Sequence, residues 1–234
     1  MRPQTHDSIN QKLKALPSFQ DLDDAVLNEL AVDCNFVRIK EEKTLFKAGE
    51  PAEHCYLVSF GGVKLLKKTP AIGDVVICFC RVGEVLGAAV MHGPSPTYPV
   101  TAVAIEDSGL IQIPRSVYTH VWMRRPEIMQ AMQSNIMGRM LEFHQDKALS
   151  AAPVPSRVAT FLLHTLDSQR PGYGDTINIR LTRRDIAERV GTSVETVIRT
   201  LSGWSQKGWI ATEHQHISIL DRDALTRLTK AGKA

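Results

Sequence analysis

No stretch of the chain approaches the roughly 18 consecutive apolar residues needed to span a membrane, and Met1 to Leu13 is too polar for a signal peptide. The expectation is a cytoplasmic protein with no membrane partner. Cysteine is scarce. Cys34, Cys55, Cys78 and Cys80 are the 4 cysteines in 234 residues and show no CxxC spacing, which argues against a disulfide-stapled secreted domain and a paired-ligand metal site. Catalytic signatures are missing too: there is no P-loop, nucleophile elbow, HExxH or GxGxxG pattern, and no pair of carboxylates placed for acid/base work. No enzyme, no catalytic residue and no metal site are expected. The chain is not short of apolar residues, however. At 43% hydrophobic and 23% charged it has an ordinary globular composition, and its length suits one or two domains.

The net charge of +3 is unevenly placed. Residues 151–234 hold 12 Lys and Arg against 8 Asp and Glu, so the excess positive charge is C-terminal, which favours a polyanionic partner for the last third over a merely solvated surface. The first 30 residues read as helix, from Ile9, Leu13 and Leu16 and then Leu22, Val26, Leu27 and Leu30. From Asn35 to about Pro114 the pattern becomes short strand-like runs (FVRIK, KTLFKAG, CYLVSF, VKLLKK, VVICFCRV, TAVAI, GLIQIP) separated by turn glycines, which indicates an antiparallel sandwich or barrel. Between Arg125 and Leu149 the period changes again. Met129, Met132, Ile136, Met140 and Phe143 fall on one stripe of a long helix, the spacing of a seam between two copies of the chain, although an intrachain core helix would show the same pattern. SAAPVP, residues Ser150 to Pro155, reads as a hinge.

Ser156 to Ser168 is an amphipathic helix carrying Val158, Phe161, Leu162 and Leu166. Beyond it, LTRRDIAERVGTSVETVIRTLSGWSQKGWI contains two short helices broken at Gly191. Ala187 sits where the helices approach, Gly191 turns the chain and Val197 packs into the angle, as a helix-turn-helix requires. Trp209 to Leu220 reads as a hairpin, the wing, and Asp221 opens a last helix. Helix phase places Val197, Leu201 and Trp204 on an inward stripe, with Glu195, Arg199 and Ser202 on a polar one. Thr192 or Ser193 can cap that helix. Arg199 can donate two bonds to guanine and Glu195 can accept from cytosine; the alternative is an exposed Glu195–Arg199 ion pair.

Together, LFKAGEPAEHCYLVSFGGVKL, the GEVLG turn (Gly83 to Gly87) and TRRDIAERVGTSVETVIR (Thr182 to Arg199) resemble the CRP/FNR family of bacterial transcription regulators over roughly Phe36 to Leu228. The resemblance implies an α+β fold: an N-terminal antiparallel, jelly-roll-like β-roll sensor domain with flanking helices over residues 1–124, a dimerisation helix over 125–150, and a winged helix-turn-helix domain over 151–234. It implies a homodimer, palindromic double-stranded DNA and RNA polymerase as partners. DNA contacts are expected from Thr182, Arg183, Arg184, Ser193, Val194, Glu195, Thr196 and Arg199, with Ile198 standing where the family usually has a small or polar residue.

The effector pocket is expected around Gly83, Glu84, Gly87, Ala88, Tyr98 and Pro99. Two departures bear on its ligand. Ala88 stands where cyclic-AMP-binding members have the ribose-binding Glu, and Tyr98-Pro99 stand where they have the Arg-Ser pair for the phosphate, which argues against cyclic AMP. An N-terminal iron-sulfur cluster is not expected, since no cysteine precedes Cys34. Haem is a candidate through His92, His120 or His144, and Cys78 with Cys80 is a candidate thiol sensor. Two small buried hydrophobes would give the same cysteine pattern.

Overall fold

The period-two runs of the N-terminal half become two four-stranded antiparallel sheets in the computed structural model, which describes residues 6–69, 73–148, 151–169 and 174–231. The chain divides into two compact units, one of residues 1–71 and 77–137, the other of 72–76 and 138–234.

In the first unit, the helical pattern on either side of Pro17 becomes α1 (His6–Lys14) and α2 (Asp24–Ala31), separated by a series of turns across 15–22. The strands are β1 (Asn35–Ile39), β2 (Thr44–Phe46), β3 (His54–Phe60), β4 (Val63–Thr69), β5 (Gly73–Cys80), β6 (Val85–Leu86), β7 (Thr101–Ala104) and β8 (Ser108–Pro114). One sheet has the order β1-β8-β3-β6 and the other β2-β7-β4-β5. Consecutive residues Cys55 to Val58 of β3 and Ser108 to Ile111 of β8 are buried, so both faces of that sheet are covered. That explains why its strands read as continuous apolar runs. Ile9, Leu13, Leu27 and Leu30 belong to this core. Trp122 joins them, its indole N–H donating to Leu30 O at 2.9 Å and its ring meeting Phe19 edge-on at 5.6 Å.

After α3 (Arg115–His120) comes the long helix α4 (Pro126–Ala148), and the division between the units falls within it, at Met137 and Gly138. Its apolar residues have two fates. Ile128 and Met132 are buried in the first unit's own core, the Tyr118 hydroxyl lying 3.6 Å from Met132 Sδ, whereas Ile136, Met137, Met140 and Leu141 are each more than half exposed. Met132 thus departs from the expected seam, because the chain's own β-roll already covers it, and Met129 is half-buried. The side chain of Phe143 lies outside the described residues.

The second unit holds α5 (Val154–Asp167), α6 (Arg183–Val190), α7 (Val194–Gln206), the hairpin β9 (Ile210–Glu213) and β10 (His216–Ile219), and α8 (Arg222–Ala231). α5 begins two residues before the expected Ser156, since Pro155 fits the first turn of a helix, where its missing N–H would have no partner anyway. The stretch 176–181, not anticipated from the sequence, holds to the hairpin: Ile177 N–H donates to Ile217 O at 2.9 Å and Leu181 N–H to Gln215 O at 3.0 Å. Val158, Leu162, Ile186, Val197, Leu201, Ile210 and Leu225 form the buried interior of this unit.

Candidate nucleic-acid interface

The second unit presents α7 through three local devices. The first is a reciprocal cap at the start of α6. Thr182 Oγ1 accepts from Asp185 N–H at 3.0 Å, while Asp185 Oδ2 accepts from Thr182 N–H at 3.1 Å and from its hydroxyl at 2.6 Å. Asp185 is buried, and this box gives its carboxylate hydrogen-bond donors. The second is the turn. Gly191 adopts φ 68°, ψ 56°, a left-handed conformation that glycine takes without a Cβ penalty, and its N–H reaches back to Ala187 O. Arg157 Nη1 donates to Val190 O at 2.7 Å, placing a cation against the C-terminal carbonyls of α6. The third is Ser193, whose Oγ accepts from Thr196 N–H at 3.2 Å and so caps α7.

From that cap the phase of α7 follows. Val197, Leu201 and Trp204 are buried, and Glu195, Ile198, Arg199 and Ser202 are exposed. Among the described residues no ion pair joins Glu195 to Arg199, so both side chains face solvent unpaired, contrary to the surface-pair alternative. The structure gives other expected DNA contacts local duties. The Thr182 and Ser193 hydroxyls serve as helix caps, and Thr196 Oγ1 lies 3.0 Å from Ser193 Oγ. Arg183 Nη2 donates to Thr212 Oγ1 of β9 at 3.3 Å, and burial lowers this guanidinium from its ordinary pKa. Arg184 Nε donates to Glu188 Oε1 at 2.7 Å while remaining largely exposed. Val194 is half-buried. The wing turns at His214 and Gln215, both at positive φ, the backbone of a tight two-residue hairpin. Neither the wing-to-Arg183 bond nor the role of Arg157 was legible in the sequence, since both join residues far apart along the chain.

The expected effector pocket lies wholly in the first unit. Gly83 N–H donates to Val58 O at 2.8 Å and Val58 N–H to Glu84 O at 3.0 Å, tying the GEVLG turn to β3. Gly87 has φ 80°, and a Cβ there would lie 3.2 Å from the Tyr98 ring. Ala88 is buried and opens a short 3-10 turn, whereas Pro99 is exposed. Tyr98 is buried: its ring stacks on Phe46 with centroids 3.8 Å apart and its hydroxyl donates to His54 O at 2.6 Å. Burial raises the phenol above its ordinary pKa. Tyr98 and Pro99, expected where cyclic-AMP-binding members hold the phosphate, thus offer a stacked aromatic ring and no cation. The nearby Arg115 is committed to backbone, donating to Met91 O and Gly93 O at 2.8 and 2.5 Å.

The thiols are mostly withdrawn from solvent. Burial pushes Cys34 up to about 12 and raises Cys55 further; Cys80 is buried and Cys78 half-buried. Among the described residues no cluster of three or more His, Cys, Asp or Glu could hold a metal ion, and no helix is long and apolar enough to cross a membrane.

Residues 156–228 match the Crp-like helix-turn-helix domain, and residues 36–125 match the cyclic nucleotide-binding domain. The chain is 26% identical over 212 residues to the "CRP-like cAMP-activated global transcriptional regulator" of Mycobacterium tuberculosis (strain CDC 1551 / Oshkosh), covering 89% of this chain and 94% of that one. It is 28% identical over 195 residues to the "Fumarate and nitrate reduction regulatory protein" of Escherichia coli (strain K12), covering 81% of this chain and 76% of that one. In fold it is similar to FixK2 from Bradyrhizobium japonicum, with a TM-score of 0.71 at 23% identity over 83% of this chain and 96% of that one.

Proposed function

The chain belongs to the CRP/FNR family of transcription regulators and carries that family's DNA-binding helix-turn-helix, and from this premise we propose that it is a homodimer that binds palindromic duplex DNA through α7. The observation that carries the reading is the outward face of α7, where Glu195 and Arg199 are exposed and unpaired on a helix whose opposite face is locked into the core. In the major groove the Arg199 guanidinium donates to guanine O6 and N7, and Glu195 accepts from a cytosine amino group. Arg184 supplies a phosphate contact, and Arg183, held by Thr212, supports the wing. Two copies related by a dimer axis place their α7 helices about 34 Å apart, one turn of DNA.

The domain assignment follows the same reading: a β-roll sensor over 1–124, a dimerisation helix over 125–150 and a DNA-binding domain over 151–234. The M. tuberculosis relative is named for activation by cyclic AMP; here we propose a different regulatory input, since Tyr98 and Pro99 stand where the family resemblance puts the phosphate-binding pair and bring no cation. RNA polymerase is the expected protein partner.

Selection from random duplexes tests the DNA reading. A palindrome is expected, bound with a steep salt dependence. Arg199→Ala should cost on the order of 1 to 3 kcal/mol per half-site and relax the preference at one guanine, whereas Arg184→Ala should weaken all sequences alike. A selection without a palindrome, or a guanine preference that survives Arg199→Ala, would refute the assignment.

A further inference from the structure

The reading face of α7 is not uniformly polar. Ile198 is 49% exposed, although Val197 beside it is fully buried, and among the described residues it is the one exposed large hydrophobic residue on α7. Ile198 lies roughly 60° around the helix from Glu195 and one turn from Ser202, on the shoulder of the same outward stripe as Arg199. Its side chain is β-branched, so in a helix χ1 is confined to essentially one rotamer and the methyl groups point in a fixed direction. It has no polar atom with which to bind a phosphate or a base edge.

We infer that Ile198 determines specificity by packing against the 5-methyl group of a thymine beside the guanine addressed by Arg199. Of the groups that base edges present in the major groove, the thymine methyl is the apolar one. Set against a cytosine amino group or a guanine O6, Ile198 would strip water from a polar atom and return no hydrogen bond, so those bases are disfavoured. Reach is not limiting. Successive residues rise about 1.5 Å along a helix and base pairs are about 3.4 Å apart, so Ile198 and Arg199 address the same or adjoining base pairs. The inference rests on the DNA-binding reading above and extends it to a residue outside the expected contact set.

The experiment uses the full-length protein and the duplex returned by selection, at one fixed salt concentration. Each thymine of the half-site is replaced in turn by deoxyuridine, which removes the methyl group and leaves every hydrogen-bonding atom in place. Binding is followed by fluorescence anisotropy. One thymine per half-site, within one base pair of the guanine whose preference depends on Arg199, should lose about fourfold in affinity, the equivalent of about 0.8 kcal/mol for one buried methylene-sized group. In Ile198→Ser that position should no longer distinguish thymine from uracil, while the guanine preference persists and the unfolding midpoint stays close to that of the wild type. If no thymine is methyl-sensitive, or if the discrimination survives in Ile198→Ser, the assignment of Ile198 is overturned while the Arg199 reading stands. If selection returns no specific duplex, both fall together.

Discussion

Tyr98 is held at two ends: its ring lies against Phe46 and its hydroxyl on the carbonyl of His54. Removing only the hydroxyl strands a half-buried carbonyl, so Tyr98→Phe should lower the unfolding free energy by about 1 kcal/mol. Tyr98→Ala also empties the ring's space beside Gly87 and should cost about 3 to 5 kcal/mol, as large aromatic truncations do. Denaturant titration of both variants checks the order. Calorimetry of the wild type with cyclic AMP should show no binding in the low micromolar range, because Tyr98 and Pro99 bring no cation to a phosphate. A dissociation constant in that range would show that another side chain supplies the charge. Arg199 differs in kind from Tyr98: its guanidinium is exposed and unpaired, so its truncation should leave stability nearly unchanged and be felt in DNA binding.

On the scale of elements, the orientation of α7 depends on how α6 begins and ends. The Thr182–Asp185 box closes the first turn of α6, and Gly191 with Arg157 closes the last. Asp185→Ala leaves the Thr182 N–H without its carboxylate acceptor and removes the partner of its hydroxyl. The second unit should lose about 1 to 2 kcal/mol, the upper range for a cap, read as a lower midpoint in thermal unfolding. Affinity for every duplex should fall together, with base preference retained, since the reading residues are untouched. A change of preference at one base pair would instead place Asp185 in the recognition surface.

At the scale of the whole molecule, α4 carries an apolar stripe that its own chain leaves uncovered. Ile136, Met137, Met140 and Leu141 lie at i, i+1, i+4 and i+5, one face of a helix, and each is more than half exposed. A second copy of α4 is the proposed cover, and methionine's flexible thioether suits such a seam. Met137→Glu with Met140→Glu would place two carboxylates per chain in that interface. Analytical ultracentrifugation at micromolar concentration should then show monomers where the wild type shows dimers, and binding to the palindrome should fall because two half-sites are no longer engaged together. A wild-type protein that sediments as a monomer would refute the seam. Met132→Glu is a different experiment: it buries a charge in the β-roll core, so loss of folding rather than loss of dimerisation is expected.

Short-range chemistry was enough to read much of this protein. Caps, turn glycines and helical spacing act between residues three to six apart, and for that reason the helix-turn-helix from Thr182 to Gln206, its inward stripe Val197, Leu201 and Trp204, and the antiparallel character of the N-terminal half were all legible in the order of residues. Where two uses share one local signature, only long-range packing chose between them. Met132 and Met140 fall on the same expected apolar stripe, and it is Tyr118 and the β-roll core that bury the first and leave the second exposed. The hydroxyls of Thr182 and Ser193 suit a cap or a phosphate equally well, and the backbone N–H groups facing them took both. Tyr98 could be recognised as the wrong residue for a phosphate, but its stacking on Phe46, 52 positions earlier in the chain, required the loop before β7 and the strand β2 to be brought together. Such contacts cross dozens of residues, and no periodicity along the chain encodes them.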